Sequence, residues 1–236
     1  MLKVLRPGLA RLLTPAGKAL ARTPLTPNMV TVIGAVGVTA GALWLFPTGH
    51  LFAGTMVCTG FVLTDMLDGA LARITGRTGP FGAFLDSTLD RVGDAAVFGG
   101  IAIWLATGGH DRPLAAVALF CLVAGGLVSY AKARAQGLGL RCDVGIAERT
   151  ERLLIGLVAI GLAGLGVPYV LAIGLWILAV LSAITFGQRV HAVRKAAAAG
   201  PPSASAPSAS TPCAGTPCAG AGEDEGQAEM KGRLRT

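Results

Sequence analysis

Long uncharged stretches set the pattern of this chain. From Thr23 to Thr64 no residue carries a charge, a run of 42. One membrane crossing takes about 20 apolar residues, so this run holds two, parted at the turn-forming Pro47-Thr-Gly-His50. Residues 95–110 and 113–131 are also free of charge, and 153–188 form a run of 36 divided around Gly164-Leu-Gly-Val-Pro168. The pattern predicts six helices, over residues 27–47, 51–75, 80–107, 113–136, 147–164 and 168–190. Ahead of them Leu2, Leu5, Leu9, Leu12, Leu13, Ala16 and Leu20 recur at helical spacing among basic residues. That is the pattern of a helix lying on anionic lipid; Pro7 and Arg11 interrupt the apolar stretch a cleaved signal peptide needs. From residue 197 onward Pro, Ser, Ala and Thr give way to Glu223-Asp-Glu225, too little apolar surface for a core, and a disordered tail is expected. The chain thus divides into an amphipathic segment (1–22), a six-helix domain (23–196) and a tail (197–236).

Composition moves this reading from helical to membrane-embedded. Of the 236 residues 53% are hydrophobic and 14% charged, with mean hydropathy +0.63, against about 25% charged in a soluble domain. A soluble enzyme and a disulfide scaffold are excluded, and the fold class expected is an all-α integral membrane protein: six transmembrane helices after an N-terminal interfacial helix. Basic residues fix its orientation. Five precede the first span, two (Arg73, Arg77) lie between spans two and three, five lie at and after the end of span four, and three follow span six, fifteen of the twenty in all. The positive-inside rule then puts both termini in the cytoplasm. Because the net charge of +7 is spread along helix ends without an aromatic platform, it does not point to nucleic acid. Of five cysteines, Cys58 and Cys121 read as small buried hydrophobes, and Cys213 and Cys218 lack the further ligands of a zinc site.

Against this apolar background stand Asp65, Asp68, Asp86, Asp90 and Asp94, all within predicted spans two and three. A charge at membrane depth costs at least about 2.5–3.5 kcal/mol, so five need compensation. Asp65 and Asp68 share one helix face, and Asp86, Asp90 and Asp94 form a stripe at intervals of four. The turn near Gly76–Gly79 brings Asp68 level with Asp86 and Asp65 level with Asp90 if the spans pair as a hairpin, on the cytoplasmic side of the midplane. Facing carboxylates repel unless cations separate them, and oxygen-only ligands favour Mg²⁺ or Mn²⁺. Gly69 would admit a ligand to the backbone, Gly82 would let spans two and three pack closely, and Arg73 stands two turns from Asp65, where a phosphate could meet it. For Asp94, metal binding and an ion pair with a neighbouring helix both remain open.

The sequence Asp65-x2-Asp68-Gly69-x2-Ala72-Arg73-x8-Gly82-x3-Asp86-x3-Asp90 resembles the signature of the CDP-alcohol phosphotransferases at every fixed position. The resemblance extends over roughly residues 25–195. It implies a six-helix membrane enzyme, a homodimer, in which an alcohol displaces CMP from a CDP-linked donor. By that resemblance Asp65, Asp68, Asp86 and Asp90 hold two divalent ions, and Asp90 also accepts the proton of the alcohol. Gly69 and Arg73 would bind the CDP moiety, joined by Asn28 and Thr31 at the start of span one and Gly79 in the turn.

Three basic segments bear on the alcohol. Ser129-Tyr-Ala-Lys132-Ala-Arg134, Gly145-Ile-Ala-Glu148-Arg149-Thr-Glu151-Arg152 and Gln188-Arg189-Val-His191 together resemble the actinobacterial phosphatidylinositol phosphate synthases. That likeness implies CDP-diacylglycerol as donor and inositol phosphate as acceptor, with Ser129, Lys132, Arg152 and Arg189 around the acceptor phosphate, in the plasma membrane with the site on its cytoplasmic side. Alternatively, these residues are lipid-facing anchors, with Glu148 and Glu151 paired to Arg149 and Arg152. A glycerol 3-phosphate acceptor, as in phosphatidylglycerophosphate synthase, and a divalent-cation transporter are the competing functions. No acid lies in the outer half of any predicted span, which counts against transport.

Overall fold

The structure, a computed structural model, describes residues 26–75, 79–140, 142, 144–146 and 149–198, without the side chains of 64–75. Among these residues there are six helices and no strand: α1 (Pro27–Leu45), α2 (Leu51–Thr75), α3 (Pro80–Thr107), α4 (Arg112–Gly137), α5 (Arg149–Gly164) and α6 (Val170–Ala198). The expected interfacial helix over 2–20 and the tail beyond residue 198 lie outside the described residues. Local chemistry accounts for the starts. Pro27 and Pro80 open α1 and α3, where a missing N–H has no helical partner to lose. Thr26 caps α1 by accepting from the Met29 amide, and Asp111 caps α4 by accepting from the Leu114 amide at 3.0 Å. Between α1 and α2 the chain reverses through Gly49, whose φ of +84° favours glycine. The last helix runs to Ala198, eight residues past its expected end.

Side-chain neighbours fix the register. Asn28, Val38 and Ala42 of α1 lie against Gly82, Gly93 and Gly100 of α3, so these helices run parallel. Phe46, Val57 and Phe61 mark the antiparallel pairing of α1 with α2, at Gly54, Gly41 and Gly37 respectively. Phe52 and Thr55 of α2 meet Gly164 and Gly161 of α5, again antiparallel, and Ala159 of α5 meets Gly174 of α6. Glycine at each of these contacts lets the backbones come near without a Cβ. The packing order α1–α2–α5–α6–α4–α3 returns to α1 and closes a ring. Odd-numbered helices run one way and even-numbered helices the other. Gly82, expected to seat span two on span three, lies against Asn28 of α1, where a Cβ would stand 3.1 Å from Asn28 Oδ1; the α2 side chains from residue 64 on lie outside those described.

The ring is packed unevenly along its length. Phe46, Val97, Ile101, Ile160, Leu175 and Leu178 are fully buried in one continuous core. In α3 the buried positions begin at Gly93, and no residue from 80 to 92 is buried. One end of the ring is therefore a close-packed apolar plug, and the other, where α3 and α5 begin and α4 and α6 end, is looser along α3, although Val128, Arg152, Thr185 and Arg189 stay buried there. Outward faces are apolar along the whole ring, with Ile33, Val36, Phe120, Val123, Ile173 and Trp176 all exposed; a face of this kind suits lipid rather than water. By length and composition α1, α4 and α6 can each cross a membrane. α3 carries Asp86, Asp90, Arg91 and Asp94 between its start and its middle, and α5 has 16 residues, about 24 Å of helix.

Candidate functional site

The loose end gathers the polar residues. Asp90 lies ten residues into α3, about 15 Å from its start, and Asp94 one turn deeper. Opposite them the first turn of α5 presents Arg149 and Arg152. Arg149 Nη1 is 2.8 Å from Asp90 Oδ1, while its Nε donates to Asp94 Oδ1 at 3.3 Å. Arg152 Nη2 donates to the other oxygen, Asp94 Oδ2, at 3.2 Å. Asp94 thus holds two arginines, one on each oxygen, and settles its open reading toward an ion pair with a neighbouring helix. Of the glutamates considered as partners of Arg149 and Arg152, Glu148 lies outside the described residues. Periodicity within one helix could not reveal the contacts with α3, because the register of α5 on α3 is set by Phe98 against Gly156.

The two arginines differ in surroundings. Arg152 is 3% exposed and lies flat on α4, where a Cβ at Gly125 would stand 3.1 Å from its Cζ. Its Nε and Nη1 are buried with no hydrogen-bond partner, although buried donors are normally satisfied. Arg149 has a side chain 25% exposed and borders a cavity lined by Gly34 and Val38 of α1, Phe61 of α2, Asp90 and Gly93 of α3, and Leu153 of α5. Among the described residues that line it, Asp90 and Arg149 form its polar wall. A third arginine, Arg189 of α6, is buried; it donates through Nε to the Val144 carbonyl at 3.0 Å and through Nη1 to the Val128 carbonyl. It ties the α4–α5 connection to both α4 and α6. Gly145, at φ +140°, lets that connection turn tightly over Thr185.

The remaining predicted residues fall around the same end. Asn28 is half-buried against Gly82, one turn before Asp86, and Thr31 is buried with its hydroxyl donating to the Pro27 carbonyl at 3.1 Å. Gly79 is the exposed N-cap of α3. Ser129 and Lys132 are half-buried on the last turns of α4, next to the Val128 carbonyl that Arg189 holds. Asp65, Asp68, Gly69 and Arg73 lie on the second half of α2, outside the described side chains. Among the described residues no three acidic, His or Cys groups converge as a metal site; the four-carboxylate set rests on Asp65 and Asp68. The donor chemistry fits a hard divalent ion: Asp86 and Asp90 offer only carboxylate oxygens, and Asp90 already draws a cation, the Arg149 guanidinium. Arg149 is the residue that the sequence reading passed over.

Residues 24–187 match the sequence model of the CDP-alcohol phosphatidyltransferase family. Two similar curated proteins carry the name phosphatidylinositol phosphate synthase. That of Streptomyces avermitilis is 50% identical over 203 residues, 83% of each chain. That of Mycobacterium tuberculosis is 49% identical over 191 residues, 80% of this chain and 88% of the relative. The fold resembles the crystal structure of the Mycobacterium tuberculosis synthase with CDP-DAG bound, with a TM-score of 0.74 at 49% identity over 78% of this chain and 94% of that one. The same synthase in complex with manganese and citrate gives a TM-score of 0.74, covering 77% and 88%.

Proposed function

Since the chain belongs to the CDP-alcohol phosphatidyltransferase family, we propose that it transfers the phosphatidyl group of CDP-diacylglycerol to inositol phosphate, giving phosphatidylinositol phosphate and CMP. The observation that carries this reading is near half identity, over four fifths of the chain, to proteins that bear the synthase name. The family is one of transferases, and the cation-transporter alternative falls with it.

In the reaction a hydroxyl oxygen of the acceptor attacks the phosphorus that bears the diacylglycerol. The bond from that phosphorus to the bridging oxygen breaks, and CMP leaves. Asp90 stands at the polar wall of the cavity, beside Gly93 and Arg149, and takes the hydroxyl proton. Asp65, Asp68, Asp86 and Asp90 hold two Mg²⁺ ions, which when bound neutralise the pyrophosphate and stabilise the departing CMP. Asn28, Thr31, Gly69, Arg73 and Gly79 receive the CDP moiety; the closeness of Asn28 to Gly82 supports this for α1. Ser129, Lys132, Arg152 and Arg189 take the acceptor phosphate, supported by the two unsatisfied donors of Arg152. The six helices span the plasma membrane as a homodimer, with the loose end of the ring on the cytoplasmic side, where the basic helix ends lie. Purified protein in detergent with CDP-diacylglycerol and Mg²⁺ is expected to release CMP on adding inositol phosphate. Release with glycerol 3-phosphate but not inositol phosphate would reassign the acceptor, and release with no alcohol would overturn the reading.

A further inference from the structure

The position of Arg149 is unusual for an arginine. It occupies the first residue of α5, the end where unpaired N–H groups make the helix positive and disfavour a cation. Two carboxylates one turn apart hold it there, Asp90 at 2.8 Å and Asp94 at 3.3 Å. Its neighbour Arg152, on the same turn, is enclosed and, among the described residues, bound to Asp94, whereas Arg149 is partly exposed beside the cavity. Asp94 is divided between them, Oδ2 for Arg152 and Oδ1 for Arg149. A guanidinium that leaves Asp90 therefore keeps an anion within reach without leaving its turn.

We propose that Arg149 is the resident counter-cation of Asp90, which a divalent ion displaces on binding, and that Asp94 retains the displaced guanidinium. Resting on the reading of Asp90 as a metal ligand, this makes Arg149 and Asp94 positioning residues that set the affinity of the metal site. Without metal, Arg149 offsets the charge of Asp90. With metal bound, the same guanidinium is held one turn deeper, clear of the ion.

The test is Mn²⁺ binding to the full-length protein in detergent, followed by the electron paramagnetic resonance of free Mn²⁺, with no substrate present. Loss of a partly exposed pair worth about 1 kcal/mol corresponds to about fivefold in Kd, so Arg149→Gln is expected to tighten Mn²⁺ binding by that factor. Arg149→Lys, whose single ammonium cannot bridge both carboxylates, is expected to tighten it about twofold and serves if the glutamine variant is not recovered folded. Asp94→Asn, which takes away the anion one turn from Asp90, is expected to weaken binding in the wild type and to have no effect beside Arg149→Gln. Unchanged or weaker binding by both Arg149 variants overturns the proposal. So does equal tightening by Arg152→Gln, which removes the same charge without touching Asp90, or an Asp94→Asn effect that persists beside Arg149→Gln. Asp90→Asn separates the two readings: if it leaves Mn²⁺ affinity intact, Asp90 is not a ligand at all.

Discussion

Replacing Asp94 by leucine removes the anion that holds a buried guanidinium. Arg152 is 3% exposed, two of its donors already lack partners, and among the described residues its hydrogen bond goes to Asp94. Breaking a buried pair from one side typically costs about 3–5 kcal/mol. The Asp94 side chain is 13% exposed, so some water can follow, and the lower end, about 3 kcal/mol, is expected for Asp94→Leu. For a domain of this size that corresponds to a fall in Tm of about 6–12 °C. Removing the cation instead is milder. In Arg152→Met, Asp94 keeps Arg149 at 3.3 Å and no charge is left buried alone, for a cost of about 1 kcal/mol. With both changes the pair is replaced by apolar side chains, which is commonly neutral, and Arg149 still has Asp90 at 2.8 Å. The double variant is thus expected to melt near the wild type, well above Asp94→Leu, with a coupling of about 4 kcal/mol. Tryptophan fluorescence during heating in one detergent, at one scan rate, measures all four proteins. A double variant melting as low as Asp94→Leu, or Arg152→Met costing as much as Asp94→Leu, refutes the reasoning.

Adjacent glycines give predictions of opposite sign. A Cβ at Gly100 would stand 2.6 Å from the Ala42 carbonyl oxygen of α1, so Gly100→Ala is expected to cost about 1–3 kcal/mol by overpacking. Gly99 has nothing within 4 Å of that position, and Gly99→Ala is expected to gain up to about 1 kcal/mol of helix propensity; a shift in the same direction for both contradicts the α1–α3 register. Asp111→Ala removes the α4 cap and is expected to lower stability by about 1 kcal/mol, with Asp111→Asn close to the wild type. Arg189→Gln is expected to raise the KM for the acceptor more than that for the donor and to speed alkylation of Cys142, which is 1% exposed under the strap that Arg189 holds. Equal effects on both KM values would remove Arg189 from the acceptor pocket.

Helix positions were legible because their signals are local. Pro27 and Pro80 mark starts, the runs through Pro47-Thr-Gly-His50 and Gly164-Leu-Gly-Val-Pro168 mark stops, and two of the six boundaries, α2 and α3, coincide with expectation at both ends. Hydropathy placed the end of the last span near residue 190, yet an alanine-rich stretch through Ala198 continues the helix on propensity alone. Contacts between helices were less legible. Spacing said nothing of the contact between Gly82 and Asn28 of α1. The stripe of Asp86, Asp90 and Asp94 was plain in the sequence, but whether Asp94 binds metal or pairs with another helix was not. That its partners are Arg149 and Arg152, rather than residues closer in sequence, depends on where α5 docks, which Phe98 and Gly156 decide from opposite sides of the ring.

Stability does not account for charges at this level of the ring. α3 and α5 already meet through Phe98 and Gly156, and one turn away an apolar pair would join them at no greater cost than Asp94 with Arg152. Arg149 is placed against the helix dipole at the start of α5, a further cost. What the charged arrangement supplies is position: a carboxylate at the polar wall of an apolar cavity, a guanidinium bridging it to the next turn, and a second guanidinium with two donors still to be satisfied. A chain that keeps its fold on exchange of Asp94 and Arg152 for leucine and methionine, and loses CMP release, would show that these charges are held for the chemistry. If it melts like the wild type and turns over like the wild type, the layer is only a seam between helices, and the acceptor must bind elsewhere.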